Sequence, residues 1–123
     1  MTNEQFRKIA LSFPDSFESA HQGHPDFRVG GKIFATLGTP GENRGMVKLT
    51  SEQQLAWVKS NAIGFLPCNG AWGRQGCTYV DLAIANPSLV RSALQLAFGN
   101  VLSAMSRNAK SVRAKSRTRP PKK

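Results

Sequence analysis

At 123 residues, 40% of them hydrophobic, the chain supports one globular core and leaves no room for a second. No apolar run approaches the ~20 residues of a membrane span, and Thr2 to Lys8 carries an acid and lacks the apolar stretch of a secretory signal, so a cytoplasmic protein without membrane contact is expected. The formal net charge of +10 is unevenly placed: residues 1–106 hold nine Lys/Arg against seven acids, whereas residues 107–123 hold eight basic side chains and no acid.

Thr2-Asn3-Glu4-Gln5 has the form of a capping box, and Phe6, Ile9, Ala10 and Phe13 follow at helical spacing, which predicts a helix over about 3–12 that Pro14 ends. Ser16 to Gln22 is polar, with Phe17, Ser19 and His21 alternating, and reads as a weak edge strand. Two short apolar runs, Phe27-Arg28-Val29 and Ile33-Phe34-Ala35, flank Gly30-Gly31 in a hairpin of about 25–29 and 32–37. Paired glycines supply the positive φ angles of a tight β-hairpin. Gly38 to Gly45 is a loop by composition, and Met46 to Leu49 a short strand. Thr50 or Ser51 can cap a second helix, with Leu55, Val58 and Ala62 as its buried stripe and Trp57 on its partly buried side.

Phe65-Leu66-Pro67 leads into a Gly-rich connection, Asn69 to Gly76. Cys77 to Ile84 reads as a strand with Thr78, Val80, Leu82 and Ile84 on one face. Asn86-Pro87 pairs an N-cap residue with proline at the first helical position. Leu89, Val90, Ala93, Leu94, Ala97, Val101 and Leu102 then predict a helix to about residue 105. Gly99 within it costs up to ~1 kcal/mol of propensity and is read as a mark of close packing. Beyond Met105 the apolar positions run out, so residues 107–123 are expected to be a disordered basic tail behind a single domain of residues 1–106. The element order implies an α+β, two-layer sandwich with helices on one face of an antiparallel sheet.

Four stretches resemble the MmcQ/YjbR-like family: the Phe13-Pro14 turn with E-S-A-H-Q-G-H-P-D-F-R-V-G-G-K-I-F-A-T-L after it, M-V-K-L-T-S-E-Q-Q, G-A-W-G-R-Q-G-C-T-Y-V-D-L and A-L-Q-L-A-F-G-N-V. The first and fourth are the specific ones, and the rest are compatible. Relatives often carry Trp where Phe98 stands, and the basic tail is an addition to the shared pattern. The resemblance implies a CyaY/frataxin-like sandwich with protruding hairpins, sometimes described as a double wing for contacting DNA, and a DNA-binding role. It carries no catalytic residues. Frataxin-like folds bind iron through an acidic first helix, whereas this one has Glu4 alone against Arg7 and Lys8.

Two site readings follow. The hairpin and loop cations Arg28, Lys32, Arg44, Lys48 and Arg74, with Arg107, Lys110, Arg113, Lys115, Arg117 and Arg119 of the tail, would neutralise phosphates of double-stranded DNA, largely without sequence preference. In the alternative, His21, His24 and Trp72 line a pocket of a ligand-binding or protein-interaction module; Trp72, bracketed by glycines, is either a stacking platform or a lid on the core. His21, His24, Cys68 and Cys77 lack zinc-site spacing and are read as packing and turn chemistry, the cysteines as free thiols. No nucleophile elbow, phosphate loop or dinucleotide fingerprint occurs. The expectation is a non-catalytic monomer without metal or cofactor.

Overall fold

The computed structural model describes residues 1–38, 42–60 and 63–118, with side chains described through residue 107. The first helix, α1 (Asn3–Leu11), starts at the expected box: Thr2 Oγ1 accepts from Gln5 N–H at 3.1 Å and Gln5 Oε1 accepts from Thr2 N–H at 2.8 Å. Phe6, Ile9 and Ala10 are its buried side.

Strands β1 (Phe17–His21) and β2 (His24–Val29) are joined by Gln22-Gly23, and β2 and β3 (Lys32–Leu37) by Gly30-Gly31. Gly30 and Gly31 adopt φ +58° and +79°, the values that made this pair readable as a hairpin. Strand β4 (Arg44–Lys48) follows, then α2 (Ser51–Ser60), whose capping box joins Thr50 and Gln53. After β5 (Phe65–Pro67) comes a short helix, α3 (Gly70–Arg74), then β6 (Cys77–Asp81) and α4 (Pro87–Thr118). Among the described residues six strands pair antiparallel in the order β1-β2-β3-β4-β6-β5.

Cross-strand partners share a face, so the register divides the sheet. Phe27, Ala35 and Val47 lie opposite one another across three strands, with Thr78 next in line, all fully buried. Helices α1 and α4 cover this side through Phe6, Ile9, Val90, Ala93, Leu94 and Ala97. Phe13 stacks on Phe98 at 4.9 Å between ring centres, and Phe34 meets Phe98 edge-on at 5.5 Å, which locks the end of α1 to the middle of α4. Each fully buried phenylalanine removes enough apolar surface for about 2–3 kcal/mol.

Several sequence expectations need correction. Leu55 is 71% exposed, because α2 instead turns Gln54 inward, with Trp57 and Val58 beside it. The amide of Gln54 donates to the carbonyls of Gly73 (2.8 Å) and Cys77 (2.7 Å), tying α2 to both ends of the α3 corner. Ala62 lies outside the described residues. The Gly-rich stretch 69–76 contains α3 rather than being loop throughout, and Phe65 to Pro67 pairs as an edge strand. Strand β6 ends at Asp81, whose carboxylate takes the Ala83 N–H at 3.0 Å to form a turn, so Ile84 is 58% exposed.

The last helix starts at Asn86-Pro87 as expected, with Asn86 Oδ1 accepting from Ser88 N–H at 2.8 Å. Its backbone then runs to Thr118, well past residue 105 and through much of the segment expected to be disordered. Residues 100–118 contain neither Gly nor Pro and are rich in Ala, Lys and Arg, which favour helix without any packing partner. Gly99 marks no close packing, since a Cβ there would meet nothing within 4 Å. Gly99→Ala should therefore raise the midpoint of urea unfolding, by up to ~1 kcal/mol in stability.

Candidate nucleic-acid interface and open-face groove

The uncovered side of the sheet begins as a row of directly opposed residues, Ser19, Asp26, Thr36, Met46, Tyr79 and Leu66. Asp26 is fully buried, an unusual position for an acid on a face without helices. Arg28 grips it in a fork, Nε to Oδ1 at 2.7 Å and a terminal nitrogen to Oδ2 at 3.0 Å. His21 Nδ1 meets Oδ2 at 2.8 Å. The Arg28 hydrogen bonds hold the Asp26 carboxyl below its ordinary range, against burial and with help from His21. An ionised carboxylate only accepts, so Nδ1 of His21 carries the proton and Nε2 is left as the ring's acceptor when the imidazole is neutral.

A groove of about 280 Å³ crosses this face. His21 and His24, flanking the β1–β2 turn with ring centres 6.2 Å apart, form one end. Thr36, Met46 and Tyr79 form its floor, and Trp72 and Cys68 border the other end. The three residues of the pocket reading thus come together, although β1 and α3 are far apart in sequence. Trp72 is 63% exposed, which rules out the core-lid alternative. Arg44 lies 4.5 Å above the Tyr79 ring with Glu42 3.7 Å away. Leu66, Ile63 and Ile84 are exposed around an adjoining depression of about 570 Å³.

The cations of the DNA reading fall into two groups. Arg28 and Arg44 are engaged on the open face, as above. Lys32 and Lys48 are exposed at the opposite end of the sheet from the histidines, where they line one cleft with Asn100, Ala104 and Met105 of α4. There α4 passes over the Gly30 turn, since a Cβ on Gly30 would lie 2.6 Å from the Met105 thioether. Arg107 is exposed one helical step further, and Lys110, Arg113, Lys115 and Arg117 follow on helical backbone. Arg119 lies outside the described residues. Arg74 is exposed at the end of α3. Sequence reasoning missed Asp26 because a strand acid reads as solvated; the signal was its place between two aromatic or basic alternate positions, His24 and Arg28.

The histidines and cysteines do not gather into one set: among the described residues no three His, Cys, Asp or Glu side chains are placed to hold a metal ion. No described helix is long and apolar enough to cross a membrane.

Comparison with known proteins agrees with this architecture. The YjbR family profile matches residues 11–98. A structural-genomics crystal structure of a protein from Pseudomonas syringae superposes with a TM-score of 0.62 over 79% of this chain and 96% of that one, at 17% identity, a likeness of fold. No curated protein matches the chain.

Proposed function

We propose, for a chain that belongs to the YjbR family, that it binds the phosphates of double-stranded DNA through the end of the sheet from which α4 departs. The observation that carries this reading is the cleft shared by Lys32, Lys48 and Met105, because it sets two exposed strand-end lysines beside the root of the basic extension. Residues 107–123 add eight cations. Cations clustered on one side release counterions when they meet a polyanion, which gives affinity without sequence readout. Arg28 and Arg44 play no part in this surface; their charges are spent on Asp26 and on the Tyr79 ring with Glu42. The protein acts in this reading as a non-catalytic, cytoplasmic monomer.

The test is fluorescence anisotropy of random duplex DNA titrated with salt. The full chain should give a slope of log K against log salt near −9 if the eight terminal cations and the two strand-end lysines all engage, at about −0.9 each. A chain ending at Met105 keeps every core residue and should retain a slope of about −2 from Lys32 and Lys48. Replacing both lysines by alanine in that shorter chain should abolish binding, and Arg44→Ala should leave it unchanged. Equal binding with and without the two lysines would remove the sheet end from the interface.

A second reading is favoured by the groove. His21, with Asp26 fixing its tautomer, and the exposed Trp72 face a volume suited to a small planar ligand that donates a hydrogen bond. Fragment screening by NMR should shift the His21 and Trp72 ring signals together; hits that move only one of them would dissolve the pocket into two unrelated surfaces.

A further inference from the structure

Cys68 and Cys77 are both buried and face each other across the β5–β6 edge, at the corner where α3 leaves and rejoins the sheet. The register Pro67↔Thr78 places Cys68 opposite Cys77, and the Cys68 N–H donates to the Cys77 carbonyl at 2.9 Å. Strand alternation puts both side chains on the open face, with Tyr79 and Leu66 two residues further along. We propose that Cys68 and Cys77 form a reversible intramolecular disulfide in response to hydrogen peroxide, making this corner a redox-modified site.

The backbone permits the bond and keeps it weak. Directly opposed residues at a hydrogen-bonded position have Cα atoms about 5.5 Å apart, inside the range of about 4.4–6.8 Å that a disulfide spans. Directly opposed strand residues, however, hold their Cβ atoms about 4.5–5.5 Å apart, wider than the roughly 3.8 Å of a relaxed bridge, and strained bridges are the readily reduced ones. Access is provided on both sides. Cys68 borders the open-face groove, and Cys77 lines a cavity of about 220 Å³ with Lys48, Leu49, Trp72 and Gln75, ample for peroxide.

The two thiols have different roles. The hydrogen bond from the Cys68 thiol pulls Cys77 down to about 7, with Lys48 assisting and burial opposing. The same contact, with burial, pushes the Cys68 thiol up. Cys77 is therefore the thiolate that attacks. Its sulfur bonds to one peroxide oxygen as the O–O bond breaks, and the departing hydroxide takes a proton and leaves as water. The resulting sulfenic acid on Cys77 is attacked by the Cys68 sulfur: the S–S bond forms, the S–O bond breaks, and the oxygen leaves with the Cys68 proton as a second water. Two thiols are oxidised by two electrons and one peroxide is reduced. The bridge closes the segment that carries α3, Trp72 and Arg74 onto the sheet.

The experiment exposes the reduced full chain to equimolar hydrogen peroxide, then counts free thiols in denaturant and measures the intact mass. Loss of both thiols, a fall of about 2 Da and full recovery with dithiothreitol are expected. Thiol loss should accelerate through about pH 7, rather than near the ordinary thiol value of about 8.5. Cys68→Ser should stop at a dimedone-reactive sulfenic acid on Cys77, and Cys77→Ser should resist the same exposure. Survival of both thiols in the wild-type chain, oxygen addition to Cys77 without a bridge, or bridging only between chains would each overturn the proposal. The wild-type mass and pH profile decide it even if a serine variant fails to fold.

Discussion

Gly76→Ala should lower the unfolding free energy by about 4 kcal/mol. Gly76 turns the chain from α3 into β6 at φ +116°, a region that side-chain-bearing residues rarely enter. The space is also closed. A Cβ there would strike the carbonyl oxygen of Leu49 and stand 2.7 Å from the carbonyl carbons of Leu49 and Thr50. Those atoms are backbone at the start of α2, so no side chain can swing aside. The Gly76 carbonyl is committed as well, accepting from Leu49 N–H at 3.3 Å and from the buried Thr78 hydroxyl at 2.9 Å. Strain of about 1–3 kcal/mol from the backbone and a similar overpacking term give the estimate. Urea unfolding followed by circular dichroism measures it, with Gly99→Ala as the paired control of opposite sign. A loss below about 1 kcal/mol would mean that the α2 and α3 ends shift together to admit the methyl group.

Asp26→Ala should cost about 3 kcal/mol at neutral pH, because it leaves Arg28 and His21 on the open face without the carboxylate that they share. The figure sits at the low end for a broken buried pair, since the side chains of both partners retain contact with water, 27% and 36% exposed. The pH dependence has a definite sign. Arg28 and His21 lower the Asp26 pKa in the folded state from the ordinary 3.8, so the unfolded chain takes up a proton first as acid is added. The carboxylate's contribution is complete above that value and is lost as the pH falls through the lower, folded one. The stability gap between wild type and Asp26→Ala should therefore be constant from about pH 7 to pH 5 and shrink toward pH 2. Asp26→Asn, which keeps the shape but not the charge, should show the same flattened acid limb with a smaller loss. A gap that persists undiminished at pH 2 would assign the effect of Asp26 to packing rather than charge. The same substitution also frees the His21 ring to rotate, so loss of ligand-induced shifts at His21 with those at Trp72 intact is the expected signature in the groove.

The sequence was legible wherever one local cause sufficed. The Thr2–Gln5 and Thr50–Gln53 boxes, the Gly30-Gly31 turn and the Asn86-Pro87 helix start each rest on residues within four positions of one another, and each stands where it was expected. The resemblance words pointed to the same α+β sandwich. Reading failed where a distant partner decides. Leu55 has the character of a core residue, yet Gln54 takes the inward position, where its amide bonds the carbonyls of Gly73 and Cys77. Ile84 continues an alternating pattern past the point where Asp81 bends the chain.

Of the candidate site, charge was legible and availability was not. Arg28, Lys32, Arg44 and Lys48 look alike along the chain; strand alternation and the β4–β6 register bring the first to a buried acid and the third over an aromatic ring, and leave the two lysines exposed beside α4. By itself the sequence determined the helix caps, the Gly30-Gly31 hairpin turn and the concentration of basic residues at one terminus, because each depends on neighbours in the chain or on composition alone. Only the tertiary structure decided that His21, His24 and Trp72 share a groove and that Cys68 faces Cys77. Both follow from the β1-β2-β3-β4-β6-β5 order, in which hydrogen-bonded register sets separations that sequence distance does not encode.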